Sequence, residues 1–304
     1  MKEVQVLILA AGKSTRFWSL SNKMTLNFLG KKLIEHQIES VRQAGFKSIN
    51  VVMTQELVEQ TRLDNIQVII QKGEGVGAAV LSAREQLENK PTLVIIGDDI
   101  EDTKLLKQLY SVSQGNINTI VGYKTKRYFP GGYLVMQGTK IARIHEKPGE
   151  GKEPSNFVYM FANFFADGSQ LIKYLEKVKD HDPIRSYEDG LSEMMKAGET
   201  FEMLEYTGSW ITLKYPWHTL TVMDFYLGTL NSSRISKGAQ IHKSASVLGP
   251  VVIEKGVRIM EYAKISGPAY IGRGAIIGNH TLVRESMIGE NTVVGFGSEI
   301  TRSY

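Results

Sequence analysis

The chain has 304 residues, a formal net charge of +4 and no cysteine. Its length exceeds the roughly 250 residues that a single core usually reaches, so we expect two domains; without cysteine, disulfides and thiolate metal sites are excluded. Because 42% of the residues are hydrophobic, 22% are charged and no apolar run has membrane-spanning length, we expect a soluble cytoplasmic protein without a membrane partner.

Positive charge is concentrated near the N-terminus. Residues 1–50 carry eight Lys or Arg against three Glu. This excess suits a polyanionic ligand such as a nucleotide, although a solvated basic surface would have the same composition. The basic residues are not interleaved with aromatic residues in any recognisable module, so we expect no nucleic-acid partner.

Predicted strands and helices alternate in the first part of the chain. The runs typical of buried strands are Val4–Leu9, Ile49–Met53, Val68–Ile70 and Thr92–Ile96, and helical spacing is found in Ile34–Val41 and Ala78–Leu87. This alternation predicts a doubly wound, Rossmann-like α/β sheet, whose ligands bind beyond the carboxyl ends of the parallel strands. Polar clusters at Gly12–Arg16 and Gly97–Asp98 follow two of these strands.

A period of six residues dominates the C-terminal part. Aliphatic residues occupy one position of nine consecutive hexads, from Ile235 to Val283, and the spacing resumes at Ile288 after a one-residue slip. A second position, four residues later in each hexad, holds a small or β-branched residue until Met287. Two inward positions per hexad, with three hexads per turn, predict a parallel β-helix of about four turns.

We therefore predict an α/β domain at residues 1–230 and a β-helix at residues 231–304. The sequence ends at Tyr304 within a hexad, so either the solenoid stops there or the chain is shortened. An uncapped end would expose apolar rungs, and we expect a second copy of the chain to cover them in a homo-oligomer formed through the β-helix.

The segment Leu9–Arg16 reads Leu-Ala-Ala-Gly-Lys-Ser-Thr-Arg. A loop of small residues after a strand can direct backbone N–H groups at phosphate oxygens while its Lys and Arg neutralise them. A P-loop is excluded because Leu7 stands where that motif needs a glycine. An ordinary strand-to-helix turn remains the alternative.

This segment resembles the signature of the sugar-1-phosphate nucleotidylyltransferase family, also called nucleotide-sugar pyrophosphorylases, and in particular the uridylyl- and thymidylyltransferase-like members of bacteria and archaea. Ser14 replaces the second glycine of the signature, and Asn22-Lys23 replaces Pro-Lys. The resemblance implies a left-handed hexapeptide β-helix after the catalytic domain, and it implies catalytic roles for Arg16 and Lys23. It also implies a nucleotide-binding role for Leu9, Ala11, Gly12, Ser14 and Thr15.

Two further segments extend the resemblance to the nucleotide and a metal. Gln71–Ala79 is similar to the family's base-binding stretch, which implies contacts from Gln71, Gly75 and Gly77; a βα turn without a ligand is the alternative. The seven-residue spacing from Arg16 to Lys23, which resembles the family's uridylyltransferases, favours a pyrimidine. Gly97-Asp98 matches the family's Gly-Asp, which implies Asp98 as a ligand of Mg²⁺. Its neighbour Asp99 is expected to be a helix cap or a solvated residue.

The sugar phosphate is assigned by the same resemblance. Glu146-Lys147-Pro148 matches the family's Glu-Lys-Pro, in which the Glu accepts from sugar hydroxyls and the Lys meets the phosphate. Lys147 is therefore expected to be both catalytic and phosphate-binding, and Gly132 is expected to belong to the same pocket.

Two places depart from the family pattern. Phe161-Ala-Asn163 stands near the expected Asn-Ala-Gly, and Thr212 occupies the place of a second metal-binding aspartate. A hydroxyl is a poor substitute for a carboxylate on Mg²⁺. Asp189, which matches a further family element, is expected to be structural.

The resemblance implies transfer of a nucleotidyl group from an NTP, with UTP or dTTP favoured, to a sugar 1-phosphate. The departures leave a second interpretation open, in which the chain is a regulatory or binding paralogue with impaired catalysis. Acyl transfer by the β-helix is a third; the short solenoid and the lack of an evident His with a partnering acid argue against it. We expect His36, His145, His218 and His280 to be surface or packing residues.

Overall fold

The structure is a computed structural model that describes residues 3–18, 22–138, 140–183 and 185–304. The chain forms two compact units. The first contains Met1–Lys13 and Ile34–Trp210, and the second contains Ser14–Leu33 and Ile211–Tyr304. The loop after the first strand is thus shared, because its residues from Ser14 onward belong to the second unit. The division into sequence domains at residue 230 stays a prediction.

The helices of the described residues are short. They are α1 (Leu33–Gln43), α2 (Gln55–Gln60), α3 (Gly75–Ser82), α4 (Arg84–Leu87), α5 (Thr103–Ser113), α6 (Gly168–Lys177), α7 (Ser186–Lys196) and α8 (His218–Gly228). None of them is long and apolar enough to cross a bilayer. The single helix predicted over Ala78–Leu87 is found as α3 and α4, which are separated by Ala83.

Within the described residues, thirteen strands precede α8. They are β1 (Gln5–Leu9), β2 (Asn27–Phe28), β3 (Lys31–Lys32), β4 (Ser48–Met53), β5 (Gln67–Ile70), β6 (Thr92–Ile96), β7 (Asp99–Glu101), β8 (Thr119–Lys124), β9 (Gly132–Gln137), β10 (Lys140–Glu146), β11 (Phe157–Phe165), β12 (Glu202–Tyr206) and β13 (Trp210–Thr212).

The first unit is built on one nine-stranded sheet in the order β5-β4-β1-β6-β11-β8-β12-β10-β9. The first four strands in this order are parallel, with Leu9 level with Val52 on one side and with Ile96 on the other. The chain starts at β1, moves outward to β5 and returns to β6, so the strand order reverses between β1 and β6. In such sheets this switch point is where ligands bind.

The other strands of this sheet are mostly antiparallel. Strand β11 pairs antiparallel with β6 and β8, and β9 pairs antiparallel with β10. The predicted doubly wound α/β fold is confirmed for β1, β4, β5 and β6. The antiparallel half was not predicted, because its strand pairing depends on contacts between residues distant in sequence.

Apolar burial explains why the central strands and α1 form. Val6, Leu7 and Ile8 are fully buried, because β1 lies in the middle of the sheet with both faces covered. Ile34 and Val41 are fully buried on one face of α1, as the helical spacing predicts. Each such side chain contributes roughly 1.5–3 kcal/mol by leaving water.

The solenoid of the second unit consists of three four-stranded parallel sheets. Its strands are β14 (Arg234–Ile235), β15 (Gln240–Ile241), β16 (Ser246–Leu248), β17 (Val251–Ile253), β18 (Arg258–Ile259), β19 (Lys264–Ser266), β20 (Ala269–Ile271), β21 (Ile276–Ile277), β22 (Leu282–Arg284), β23 (Met287–Ile288), β24 (Val293–Val294) and β25 (Glu299–Thr301). Successive coils stack strand on strand, which confirms the predicted parallel β-helix.

Both predicted hexad positions face the solenoid core. Its buried side chains are Val251, Ile253, Val257, Ile259, Ala263, Ile265, Ala269, Ile271, Ala275, Ile277, Val283, Ile288 and Val294. The one-residue slip in the sequence shortens a single coil. Ile265 pairs with Val283, 18 residues later, whereas Ile271 pairs with Ile288, 17 residues later. Between these strands Glu285 has a positive φ of 49°, which allows the tighter turn.

Aromatic contacts join the other segments of the second unit to the solenoid. Phe28, in the short hairpin of β2 and β3, is fully buried; its ring centroid lies 5.0 Å from that of Tyr304 and 5.4 Å from that of Tyr226 in α8. Arg302 forms an ion pair of 3.0 Å with Asp224 of α8. The segment that carries Arg16 and Lys23 is therefore continuous with a hairpin packed on the solenoid and α8.

Candidate active site

Two of the predicted clusters lie at the switch point of the sheet. The amide of Ala10 donates to the carbonyl of Val52, and the amide of Gly97 donates to the carbonyl of Leu9, both at 2.8 Å. These bonds extend the parallel ladder past β1 and place Asp98 next to the loop that follows Leu9. The first part of the predicted phosphate loop and the predicted metal ligand therefore share one edge of the sheet.

The predicted nucleotide residues in this loop differ in exposure. The Leu9 side chain is buried in the core, so only its backbone faces the sheet edge. Ala11 is half-buried and Gly12 is exposed. A ligand at this edge would therefore meet backbone groups and small side chains, which suits phosphate oxygens.

The turn that carries Asp98 is held by Gln37, a residue that the sequence interpretation missed. Gln37 is 3% exposed, and its Nε2 donates to the carbonyls of Gly97 at 3.1 Å and Asp99 at 2.6 Å. These two carbonyls flank Asp98 in the chain. A signal was present, because Gln37 is a polar residue on the face of α1 that Ile34 and Ile38 bury.

The acidic residues after β6 differ in their surroundings. Asp98 is half-buried, whereas Asp99 and Glu101 are buried. Burial, and then the charge of Asp99, raise the pKa of Glu101 well above its ordinary value. Asp98 is thus the most exposed of the three and the one suited to meet a cation.

The carboxylates at this edge of the sheet fit a magnesium ion that would be held mainly by the phosphates of a bound nucleotide. Among the described residues, no group of three or more His, Asp or Glu side chains could hold a metal ion. Mg²⁺ commonly takes one or two carboxylates and completes its shell with phosphate oxygens and water. Asp98 supplies such a carboxylate, so the assignment of Mg²⁺ stays a prediction that the residues present can accommodate.

The predicted base-binding stretch forms a tight turn before α3. The Nε2 of Gln71 donates to the carbonyls of Gly73 at 3.1 Å and Gly75 at 3.2 Å. Lys13 reaches this turn from the phosphate loop and pairs with Glu74 at 2.5 Å. The structure therefore brings together the first two nucleotide segments that the sequence predicted.

The glycines of this turn have a packing role that the sequence did not reveal. A side chain at Gly75 would collide with the carbonyl of Pro183, and one at Gly77 would approach the Ser186 hydroxyl to 2.6 Å. Gly75 also has a φ of 86°, which favours glycine. These glycines allow α3 to lie against the start of α7; their contact with a nucleobase stays a prediction.

The predicted sugar-phosphate residues form a second cluster in the first unit. Gly132 and Glu146 are cross-strand partners in β9 and β10, and a Cβ at Gly132 would come within 2.6 Å of the Glu146 Oε1 atom. The amide of Lys147 donates to the carbonyl of Gly131 at 3.2 Å, and Lys147 has a φ of 44°. The strand thus ends in a turn that sets the direction of Lys147.

Helix α7 adds a carboxyl group that the sequence interpretation did not single out. The Oε2 atom of Glu188 is buried and has no hydrogen-bond partner among the described residues. The pKa of Glu188 is raised to about 7, mainly by burial and in smaller part by the charges of Glu146 and Asp189. Asp189 Oδ2 lies 3.1 Å from His181 Nδ1, and the structural role expected of Asp189 stays a prediction.

Asn163, at one of the departures from the family pattern, lies under this cluster and is fully buried. Its Nδ2 donates to the hydroxyls of Tyr159 at 2.8 Å and Tyr187 at 3.1 Å. The Phe161 ring packs against Tyr187 with centroids 4.7 Å apart. The altered element therefore supports α7 through aromatic and hydrogen-bonded contacts.

In the second unit, the replacements at Ser14 and Asn22 lie side by side. Ser14 has a φ of 50° and a ψ of 29°, the left-handed conformation that the glycine of the signature would adopt easily. Its hydroxyl lies 3.3 Å from Asn22 Oδ1 and accepts from the amide of Lys23, also at 3.3 Å. Thr15 and Arg16 are exposed in the short 3₁₀ helix that follows.

The solenoid contains the His–acid neighbours that we did not expect. His242 Nε2 lies 3.9 Å from the Glu261 carboxylate, and His242 Nδ1 lies 2.7 Å from the Ser244 hydroxyl. Because Glu261 belongs to the next coil, the sequence spacing hides this proximity. His280 stacks on Tyr262 with centroids 4.9 Å apart, which is the packing role predicted for it.

The fold and the arrangement of these residues define a class of protein. Its α/β domain has a sheet with a switch point of the kind at which nucleotides bind, and a hexapeptide solenoid follows in the sequence. The chain matches the MobA-like NTP transferase domain over residues 6–159, half of its length, and it belongs to that family. Residues 250–285 match six repeats of the bacterial transferase hexapeptide. The resemblance inferred from the motifs is confirmed.

Proteins similar in sequence to this chain are named as nucleotidylyl- or uridylyltransferases. A bifunctional sugar-1-phosphate nucleotidylyltransferase/acetyltransferase from Sulfurisphaera tokodaii is 28% identical over 83% of this chain and 62% of that protein, so this chain spans less than two thirds of it. A UTP–glucose-1-phosphate uridylyltransferase from Staphylococcus haemolyticus is 27% identical over 59% of this chain and 77% of that protein.

A solved structure shows the same fold. The UDP-glucose pyrophosphorylase from Acinetobacter baumanii superimposes with a TM-score of 0.64 at 16% identity, covering 76% of this chain and 95% of that chain.

Proposed function

We propose that this chain transfers a nucleotidyl group from UTP or dTTP to a sugar 1-phosphate and releases pyrophosphate. The observation that carries the proposal is the switch-point edge, where the Leu9–Gly12 loop, the Asp98 turn and the glycine turn at Gln71 adjoin. The names of the relatives support this reaction class.

The reaction requires no covalent enzyme intermediate. A phosphate oxygen of the sugar 1-phosphate attacks the α-phosphorus in line, a new P–O bond forms, and the bond from the α-phosphorus to the bridging oxygen of the β-phosphate breaks. Pyrophosphate leaves with that electron pair. Catalysis then rests on positioning the two phosphates and on neutralising charge that moves to the leaving group.

Residue roles follow from the family motifs and from the local structure of each residue. The amides after Leu9 and the hydroxyl-bearing Ser14 and Thr15 are proposed to hold phosphate oxygens. Arg16 and Lys23 are proposed to neutralise charge on the pyrophosphate.

For the second substrate, Lys147 is proposed to meet the sugar phosphate, and Glu146, opposite Gly132, to accept from sugar hydroxyls. Asp98 would hold Mg²⁺ together with phosphate oxygens, and the ion would supply further charge neutralisation there.

A second candidate, a binding subunit with impaired catalysis, is favoured by one observation. Thr212, which stands where the family has an aspartate, uses its carbonyl to accept from Lys214 at 3.0 Å and lies 2.7 Å from His218 Nδ1. These contacts hold the segment in place although it lacks the carboxylate that would bind a second metal ion. The cytoplasmic location and the homo-oligomer stay predictions.

The two candidates are separated by a screen of pyrophosphate release across four NTPs and a panel of sugar 1-phosphates, with and without Mg²⁺. Turnover with a pyrimidine nucleotide and one sugar 1-phosphate supports the enzyme. Nucleotide binding without turnover of any pair supports the binding subunit.

A further inference from the structure

The segment from Thr212 to Thr219 is closed on itself by hydrogen bonds. The Thr212 carbonyl accepts from the Lys214 amide at 3.0 Å and lies 2.7 Å from His218 Nδ1, which in turn lies 3.2 Å from the Lys214 amide nitrogen. Pro216 has a carbonyl that accepts from both the amide and the hydroxyl of Thr219. The loop therefore has one defined shape before α8 begins.

Two aromatic rings are stacked on this loop. The Tyr215 and Trp217 centroids are 4.6 Å apart with the ring planes 4° from parallel. The His218 ring meets both edge-on, at 5.6 Å and 6.0 Å. Tyr215 is 37% exposed and Trp217 is 64% exposed, so the stack is a surface feature and not part of the hydrophobic core.

Arg16 lies over this stack. Its guanidinium carbon is 5.3 Å from the centroid of the Tyr215 ring, within the range of a cation–π contact. Among the described residues, no carboxylate forms an ion pair with Arg16. A ring holds a guanidinium in place without neutralising its charge and leaves its N–H groups available for phosphate oxygens, whereas a carboxylate would compete with phosphate for them.

We propose that Tyr215 is a positioning residue that holds the Arg16 guanidinium in the orientation in which it binds the phosphates of the nucleoside triphosphate. Tyr215 lies three residues after Thr212, so the loop that lacks the family's aspartate supplies an aromatic support for the arginine. The inference rests on the proposed role of Arg16 in the nucleotidyl transfer.

The test compares Tyr215→Leu with Tyr215→Phe, which keeps the ring and removes only the hydroxyl. Calorimetry with UTP and with UMP gives a readout that does not depend on turnover. We expect Tyr215→Leu to weaken UTP binding about fivefold and to leave UMP binding within about twofold, while Tyr215→Phe binds both like the wild type. Trp217→Leu, which removes the other ring of the stack, is the matched control for loop stability.

A double-mutant cycle tests whether the effect passes through Arg16. In an Arg16→Ala background, Tyr215→Leu should change UTP binding by less than about twofold, because the cation that it supports is gone. Thermal unfolding of each variant shows whether the chain is folded.

The proposal is overturned if Tyr215→Phe is as damaging as Tyr215→Leu, if the two effects add, or if the wild type does not bind UTP. Wild-type UTP binding without turnover would sink the transferase assignment alone, because the phosphate-specific readout would still report on Tyr215.

Discussion

The Ser14 hydroxyl lies 3.3 Å from the side-chain oxygen of Asn22, so the two positions at which the phosphate loop departs from the family signature contact each other. Asn22 Oδ1 also accepts from the amide of Met24 at 3.0 Å and caps the short helix that begins at Lys23. The replacements form a polar connection at the base of Lys23, where the signature would have a glycine and a proline.

This connection predicts different changes in the free energy of unfolding for two small substitutions. Ser14→Ala loses the hydroxyl contacts and keeps a side chain in the left-handed region, so it should lower the free energy of unfolding by about 1 kcal/mol. Ser14→Gly loses the same contacts but relieves roughly 1 kcal/mol of backbone cost, so it should be nearly neutral. Urea unfolding of both variants checks this; an alanine variant as stable as the wild type would show that the contacts contribute nothing.

Gln37 gives a prediction for the metal turn. Gln37→Leu removes both donors from the carbonyls of Gly97 and Asp99 and leaves them buried, which should cost about 2 kcal/mol of stability. Because those carbonyls flank Asp98, the Mg²⁺ concentration for half-maximal turnover should rise about threefold, a shift of roughly 0.6 kcal/mol. Ile38→Val, one position further in α1, is the control for loss of helix packing and should leave the Mg²⁺ dependence unchanged.

Glu188 predicts a pH dependence of stability. Its pKa is about 7 in the folded chain against an ordinary value of 4.5. Below pH 4.5 the carboxyl is protonated in both states and has no effect; between the two values the unfolded chain releases the proton while the folded chain keeps it. Stability therefore falls as the pH rises through this window, and above pH 7 the loss reaches about 3 kcal/mol.

Glu188→Gln should remove this loss. The variant should be more stable than the wild type by about 2–3 kcal/mol at pH 8 and equal to it near pH 4. Glu193→Gln in the same helix is the matched control, since the Glu193 side chain is 40% exposed and pairs with Lys196 at 2.7 Å, which lowers the pKa of Glu193. Denaturant unfolding at both pH values checks the pair; a constant difference between Glu188→Gln and wild type would contradict the assignment.

Two isoleucines at the same hexad position of the solenoid allow the stability cost of removing a buried and a partly exposed side chain to be compared. Ile259 is 1% exposed in the middle of the solenoid, whereas Ile235, in the same position of the first hexad, is 46% exposed. Ile259→Ala should cost about 3–4 kcal/mol through lost burial and a cavity, and Ile235→Ala less than about 1 kcal/mol. Equal costs, measured by thermal unfolding, would mean that the hexad position alone and not its burial sets the energy.

Local patterns were sufficient for much of the fold. The period of six residues identified the inward columns of the solenoid, and even its one-residue slip, because each coil repeats the same contacts. Apolar runs identified β1, β4, β5 and β6, which are buried on both faces. Strands β8 to β12 pair mostly antiparallel, in an order set by tertiary contacts that no local period encodes.

The candidate site likewise contains residues that local motifs indicate and residues that only the folded structure brings into the site. Asp98, Glu146 and Lys147 could be proposed from the sequence because they stand in short motifs next to strand ends. Gln37, Glu188 and Tyr215 were missed, since each acts on residues distant in sequence. Their surroundings, a pair of carbonyls, a buried cluster and an arginine, exist only after folding.

The central claim is that one nucleotide sugar and one pyrophosphate arise from each NTP consumed. Quantifying both products by mass spectrometry and a pyrophosphate assay, with UTP or dTTP, Mg²⁺ and a panel of sugar 1-phosphates, tests it directly. We expect equal amounts of the two products with at least one pair, and loss of both with Asp98→Asn or Lys23→Ala. Pyrophosphate without a nucleotide sugar, or neither product with any pair, would contradict the account.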